Sequence, residues 1–177
     1  FMGTALKVDH GYLGKLSRNI TALKDEGLIR FATGDTFSGE ETYLRILDAG
    51  AFDAIFITLG LANDGGRRRI LPEAAARGMA VFAREVYAKG ELWKWGEEAG
   101  IGDRSLLARA ALKWLLAVPE VTTVVVGAGT AEEIMEAVRV VDSFKLTGEE
   151  KEALAAVMNT SACRDYREGH RGDFLGG

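Results

Sequence analysis

Val121-Thr122-Thr123-Val124-Val125-Val126-Gly127-Ala128-Gly129-Thr130-Ala131-Glu132-Glu133 runs a β-branched segment through a glycine turn into a helix start. In such a start the hydroxyl accepts the N3 amide proton while the acid reaches back to the N-cap amide. The same grammar recurs in Ser38-Gly39-Glu40-Glu41 and in Thr147-Gly148-Glu149-Glu150. The boxes at Ser38 and Thr130 directly follow strand-like runs, residues 28–33 and 121–126. A strand, a short turn and a capped helix, repeated, is the βα unit of a parallel sheet. Such folds place ligands at the carboxyl ends of their strands.

Outward from that stretch the pattern continues. Strands are expected over 5–9, 28–33, 52–59, 79–83 and 121–126. Helices are expected over 12–26, 40–49, 74–77, 105–118, 131–141 and 148–158, with Gly27, Gly50 and Gly78 as C-caps and Asp103 as an N-cap. The nearly unbroken apolar run 52–59 fits a strand buried on both faces. Trp114, Leu115, Ala111, Leu107 and Ala108 are expected to form the buried stripe of the 105–118 helix. A longer excursion, 84–103, holds Trp93 and Trp95. The chain reads as one domain over 1–158, followed by a polar, aperiodic tail over 159–177.

The 177 residues are 47% apolar and 27% charged, an ordinary globular balance. A net charge of −4 argues against a nucleic-acid footprint, and Arg67-Arg68-Arg69 is too isolated to reverse it. No apolar stretch reaches the roughly 18 residues of a membrane span. A single cysteine excludes an internal disulfide framework and suits a reducing compartment, so a cytoplasmic location is expected. No G-x-G-x-x-G follows the first expected strand, which weakens a dinucleotide fold of that type.

Several stretches occur in a telling order: Glu26-Gly27-Leu28-Ile29-Arg30-Phe31, Gly50-Ala51-Phe52-Asp53-Ala54-Ile55, Leu71-Pro72 with Ala76-Arg77-Gly78, Ala88-Lys89-Gly90, and Ala110-Ala111-Leu112-Lys113-Trp114-Leu115-Leu116 with Val124-Val125-Val126-Gly127. Together they resemble the carboxyl-terminal part of an aldo-keto reductase. The resemblance implies an α/β fold of parallel βα units, the fourth to eighth of a (β/α)8 TIM-type barrel, with the first three missing. It also implies NADP or NAD as cofactor and a small carbonyl compound as substrate.

The family's catalytic groups are Asp, Tyr, Lys and His, and only the histidine has a counterpart here, His10. Its other reading is a strand-end histidine satisfied by backbone. Resemblance places Asp35 near the nicotinamide carboxamide, although beside Gly34 it also reads as a turn or N-cap residue. Arg84 and Lys89 fit a pyrophosphate neighbourhood or a solvated basic loop. Gly127, Gly129, Thr130 and Glu133 form a turn into a helix N-terminus, an anion site through free amides and dipole. Gly129 and Ala137 stand where the family places groups for the adenosine phosphate. Cys163 cannot by itself hold an iron–sulfur cluster, and no metal site is expected. The function implied is NAD(P)H-dependent carbonyl reduction by a completed barrel, the chain being inactive or incomplete alone and completed by another copy or a complementing chain. The alternative is a non-catalytic nucleotide-binding or partner-binding protein of that fold.

Overall fold

Helices and four short strands make up residues 11–171, the part described in the computed structural model, with strand and helix alternating as far as Arg84. The expected strand 5–9 and His10 lie outside the described residues. Helix α1 is Tyr12–Asp25, β1 Thr33–Asp35, α2 Glu40–Asp48, β2 Ala54–Thr58, α3 Ile70–Ala76 and β3 Ala80–Arg84. Helices α4, Glu91–Glu98, and α5, Arg104–Leu116, precede β4, Thr123–Val124; α6, Ala131–Arg139, α7, Gly148–Met158, and α8, Ser161–Gly169, follow it. The strands form one sheet in the order β1-β2-β3-β4. Strands β1 and β2 pair in parallel, Thr33 opposite Ala54 and Asp35 opposite Phe56, as a βα crossover requires.

Two strands differ from expectation. The first was expected at 28–33 but begins at Thr33. Gly27, at φ +71°, closes α1, and the amides of Leu28 and Ile29 turn back to the Leu23 carbonyl at 2.9 and 3.3 Å. Those donors are therefore spent on the helix end, and pairing starts only where the Ala32 amide meets Asp53 Oδ2 at 2.7 Å. Lys24 fixes that carboxylate at 2.7 Å. The last strand, expected over 121–126, shrinks to two residues, with Val125 adding one bond to the Ala83 carbonyl at 2.8 Å. In the order of the described strands it stands last, beside β3.

The described chain divides into two compact units. One holds the residues through Ile57 together with Gly65–Phe82; the other holds Thr58–Asp64 and Ala83–Arg171. In the first, Ile46, Ile55, Ile57, Ile70, Leu71 and Val81 are fully buried. Each such side chain contributes roughly 1.5–3 kcal/mol relative to exposure. Tyr43 ties α2 to this core, its hydroxyl donating to the carbonyls of Thr36 (2.9 Å) and Phe56 (3.0 Å).

In the second unit α5 packs on α7, and Leu92, Trp95, Leu107, Leu115, Val157 and Cys163 form the core. The expected stripe of α5 is corrected: Leu107, Ala111 and Leu115 are buried, but Trp114 and Ala108 are half-exposed, and Leu106, Ala110 and Leu112 complete the stripe. The tail is corrected as well, since α8 is a helix where an aperiodic segment was expected. Thr160 caps it through the Cys163 amide at 3.2 Å, and Glu98 accepts the Ser161 and Ala162 amides at 2.7 and 3.1 Å. Tyr166 then packs edge-on against Trp95.

Candidate functional site

The carboxyl end of β3 runs into a contorted loop. Glu85, Ala88 and Lys89 all adopt left-handed φ values, +60°, +48° and +57°, before Gly90 at +94°. A non-glycine residue there costs on the order of 1 kcal/mol, and three in five positions are rare away from functional sites. Short bonds hold the loop in place: the Ala88 amide to the Glu85 carbonyl at 2.7 Å, and Gly90 to Tyr87 at 2.9 Å.

This loop forms one wall of a cavity of about 500 Å3 within the second unit. Arg84, Tyr87, Lys89 and Trp93 line that wall. The Tyr87 and Trp93 rings lie 5.2 Å apart, tilted by 40°, and the Arg104 guanidinium sits 5.8 Å over the Trp93 ring. This gives flat, polarisable surfaces of the kind on which an aromatic base stacks. One face of α5, Ser105, Ala108, Arg109 and Leu112, and Glu133, Glu136 and Ala137 of α6 line the cavity as well. Residues 125–128, after β4, complete the lining.

Charge in the cavity is divided. Lys89 lies 3.5 Å from Glu85, Arg104 lies 3.4 Å from Glu97, and Arg109 lies 4.0 Å from Glu150. Arg84 Nε donates to Thr58 Oγ1 at 3.3 Å. On α6 the Glu136 carboxylate accepts the Ser105 hydroxyl at 2.7–2.8 Å. Burial, and then the charges of Glu133 and Glu136, push the Tyr87 phenol up to about 12. At neutral pH Tyr87 is a neutral hydrogen-bonding group.

Of the residues singled out in the sequence, Arg84, Lys89, Gly127 and Glu133 line this cavity. Gly129 and Thr130 form the α6 start, where Thr130 Oγ1 accepts the Glu133 amide at 3.2 Å. The Gly129 amide, expected to meet an anion, already donates to Glu133 Oε2 at 2.6 Å. Asp35 ends β1 in the first unit and is not part of the cavity lining. Trp93, Arg104, Ser105, Arg109 and Glu136 also line it, without having been assigned to it. The signal lay in helical period: positions 105, 108, 109 and 112 share one face of α5, and 133, 136 and 137 one face of α6. Among the described residues no three His, Cys, Asp or Glu side chains gather as a metal site, and no helix is long and apolar enough to cross a membrane.

Solved structures share this arrangement of strands and helices. An aldo-keto reductase from Bacillus halodurans matches with a TM-score of 0.60 in its apo form, at 22% identity, over 78% of this chain and 54% of that one. Its holo form gives 0.61, over 78% and 53%. The glycerol dehydrogenase from Gluconobacter oxydans gives 0.57 at 20% identity, over 80% and 53%. The fold is that of the aldo-keto reductases. The chain spans about half the length of these structures, and the match is to their carboxyl-terminal part. No protein-family profile and no curated protein sequence matches it.

Proposed function

We propose that the chain is the nucleotide-binding part of an aldo-keto reductase-like oxidoreductase, and that the cavity takes the adenosine and pyrophosphate portions of NAD(P)H. The observation that carries this reading is the joining, in one cavity of about 500 Å3, of a strained loop, an aromatic pair and four basic side chains at the carboxyl ends of β3 and β4. Ligands of parallel βα folds bind at those ends. Arg84 and Lys89 face the phosphates, and Tyr87 and Trp93 offer the stacking surface. The cofactor would supply the hydride, and reduction of a small carbonyl compound belongs to a barrel completed by further βα units or by a second chain.

Titration of the chain with NADH and NADPH by calorimetry tests this. Arg84→Ala with Lys89→Ala should weaken binding about tenfold, since exposed contacts to a charged phosphate are individually modest. Unchanged affinity in the double variant removes the cavity as the cofactor site. The alternative, nucleotide binding without catalysis, is favoured by Tyr87. Its pKa of about 12 makes it a poor proton donor to a developing alkoxide. NADPH consumption with an aldehyde panel separates the two. Turnover by the chain that Tyr87→Phe leaves intact excludes both a role for Tyr87 and the non-catalytic reading.

A further inference from the structure

Resting on the nucleotide reading above, we infer that the cavity selects a dinucleotide whose adenosine ribose carries free 2′ and 3′ hydroxyls, NADH over NADPH, through the carboxylates of Glu133 and Glu136. The two acids lie one helical turn apart on α6, and both line the cavity. Each is held in place. Glu136 accepts the Ser105 hydroxyl through both oxygens, and Glu133 accepts the Gly129 amide. An ionised carboxylate has about four acceptor positions, so each keeps capacity for a sugar hydroxyl.

The charges around them decide the preference. Lys89, Arg104 and Arg109 each stand within ion-pair reach of a carboxylate of their own chain. Among the described residues, neither Glu133 nor Glu136 stands within that reach of a cation. The α6 wall therefore carries net negative potential while the β3 loop carries the basic groups. Burial raises the Tyr87 pKa first, and the charges of Glu133 and Glu136 add to it. A diphosphate is met at the β3 side and a vicinal diol at the α6 side. A 2′-phosphate, carrying roughly −1.5 to −2 charges at pH 7, would have to sit against two carboxylates and displace the one that already occupies the Gly129 amide. That is discrimination by repulsion as much as by attraction.

The test is paired titration of the chain with NADH and NADPH at low and high salt, repeated with Glu133→Gln/Glu136→Gln. Folding of the variant is checked by its far-UV circular dichroism and melting. We expect NADH to bind about tenfold or more tightly than NADPH at low salt, the ratio narrowing as salt screens the carboxylates. The double variant should cut the ratio to about threefold or less, mainly by tightening NADPH. Equal or tighter NADPH binding, or a ratio that the double variant leaves unchanged, overturns the inference while the nucleotide reading stands. Binding of neither dinucleotide overturns both.

Discussion

Replacing Lys113 with methionine would strand a buried charge while keeping the apolar stem that Lys113 lays along α5. Glu150 is 3% exposed. Its carboxylate accepts Lys113 Nζ at 2.8 and 3.0 Å and the Thr147 amide at 2.9 Å, with Arg109 at 4.0 Å. Burial alone would raise its pKa, but the Lys113 ammonium, the Thr147 amide and Arg109 outweigh burial and hold it below the ordinary carboxylate value. Breaking a fully buried pair costs about 3–5 kcal/mol. Here Arg109 and the Thr147 amide remain, so a loss of about 2–3 kcal/mol at pH 7 is expected. The sign with pH follows from the lowered pKa. The wild-type contribution is complete above the ordinary carboxylate pKa and is lost as pH falls through the folded value. Without Lys113 burial is opposed by fewer partners, protonation comes at a higher pH and relieves the variant, and the gap between the two proteins narrows on acidification. In Lys113→Met/Glu150→Leu no charge is stranded, and the loss should fall to about 1 kcal/mol, the cost of the missing cap. Urea unfolding at pH 7 and pH 4.5, followed by circular dichroism, reads all of this. A loss under about 0.5 kcal/mol at pH 7, the range of an ordinary surface change, or a gap indifferent to pH, refutes the reasoning.

Gly96 lies inside α4, where alanine would gain about 1 kcal/mol of helix propensity. Its added Cβ would collide with Leu107 Cδ1 and stand 3.2 Å from the Ile101 carbonyl. Overpacking of about 1–3 kcal/mol wins, so Gly96→Ala should lower the urea midpoint, and a neutral or stabilised variant refutes this packing. The Tyr87 pKa of about 12 lies above the usual 10, so the neutral phenol stabilises the fold fully below pH 10 and that contribution is lost between pH 10 and 12. Two units correspond to about 2.7 kcal/mol, reduced to about 1–2 kcal/mol because the ring is partly solvated. Wild type should therefore lose this much stability relative to Tyr87→Phe over that interval, and parallel curves would show that the phenol is not shielded.

Three stretches of one grammar had three outcomes. Thr147 and Glu150 complete a reciprocal capping box. Thr130 caps α6, but the Glu133 carboxylate reaches past it to the Gly129 amide. Ser38 caps nothing, because Gly39 at φ +85° takes the N-cap place, and Ser38 instead donates its amide to Thr36 Oγ1 at 3.0 Å. The hydroxyl and the acid are visible in sequence, whereas the backbone angle that aims them is set by the turn before the helix. Helix α8 was hidden for a different reason. Thr160 caps it locally, but Glu98, which accepts its first two amides, lies 63 residues from Ser161, so no local window contains that second group.

The cavity sits between these cases. Arg84 and Lys89 were visible, but the faces of α5 and α6 that complete it share the period of a core stripe. What separates a core face from a cavity face is the mixture of residues. A packed interior cannot desolvate the Arg109 guanidinium and the Glu136 carboxylate without a nearby opposite charge. Arg109 has Glu150 at 4.0 Å, and among the described residues Glu136 is held by the Ser105 hydroxyl. A helix face that alternates Ser105 and Arg109 with Ala108 and Leu112 must therefore look onto a space that water or a polar ligand fills. Composition at helical spacing, read with the charge partners each residue lacks, marks the cavity that period alone would assign to the core.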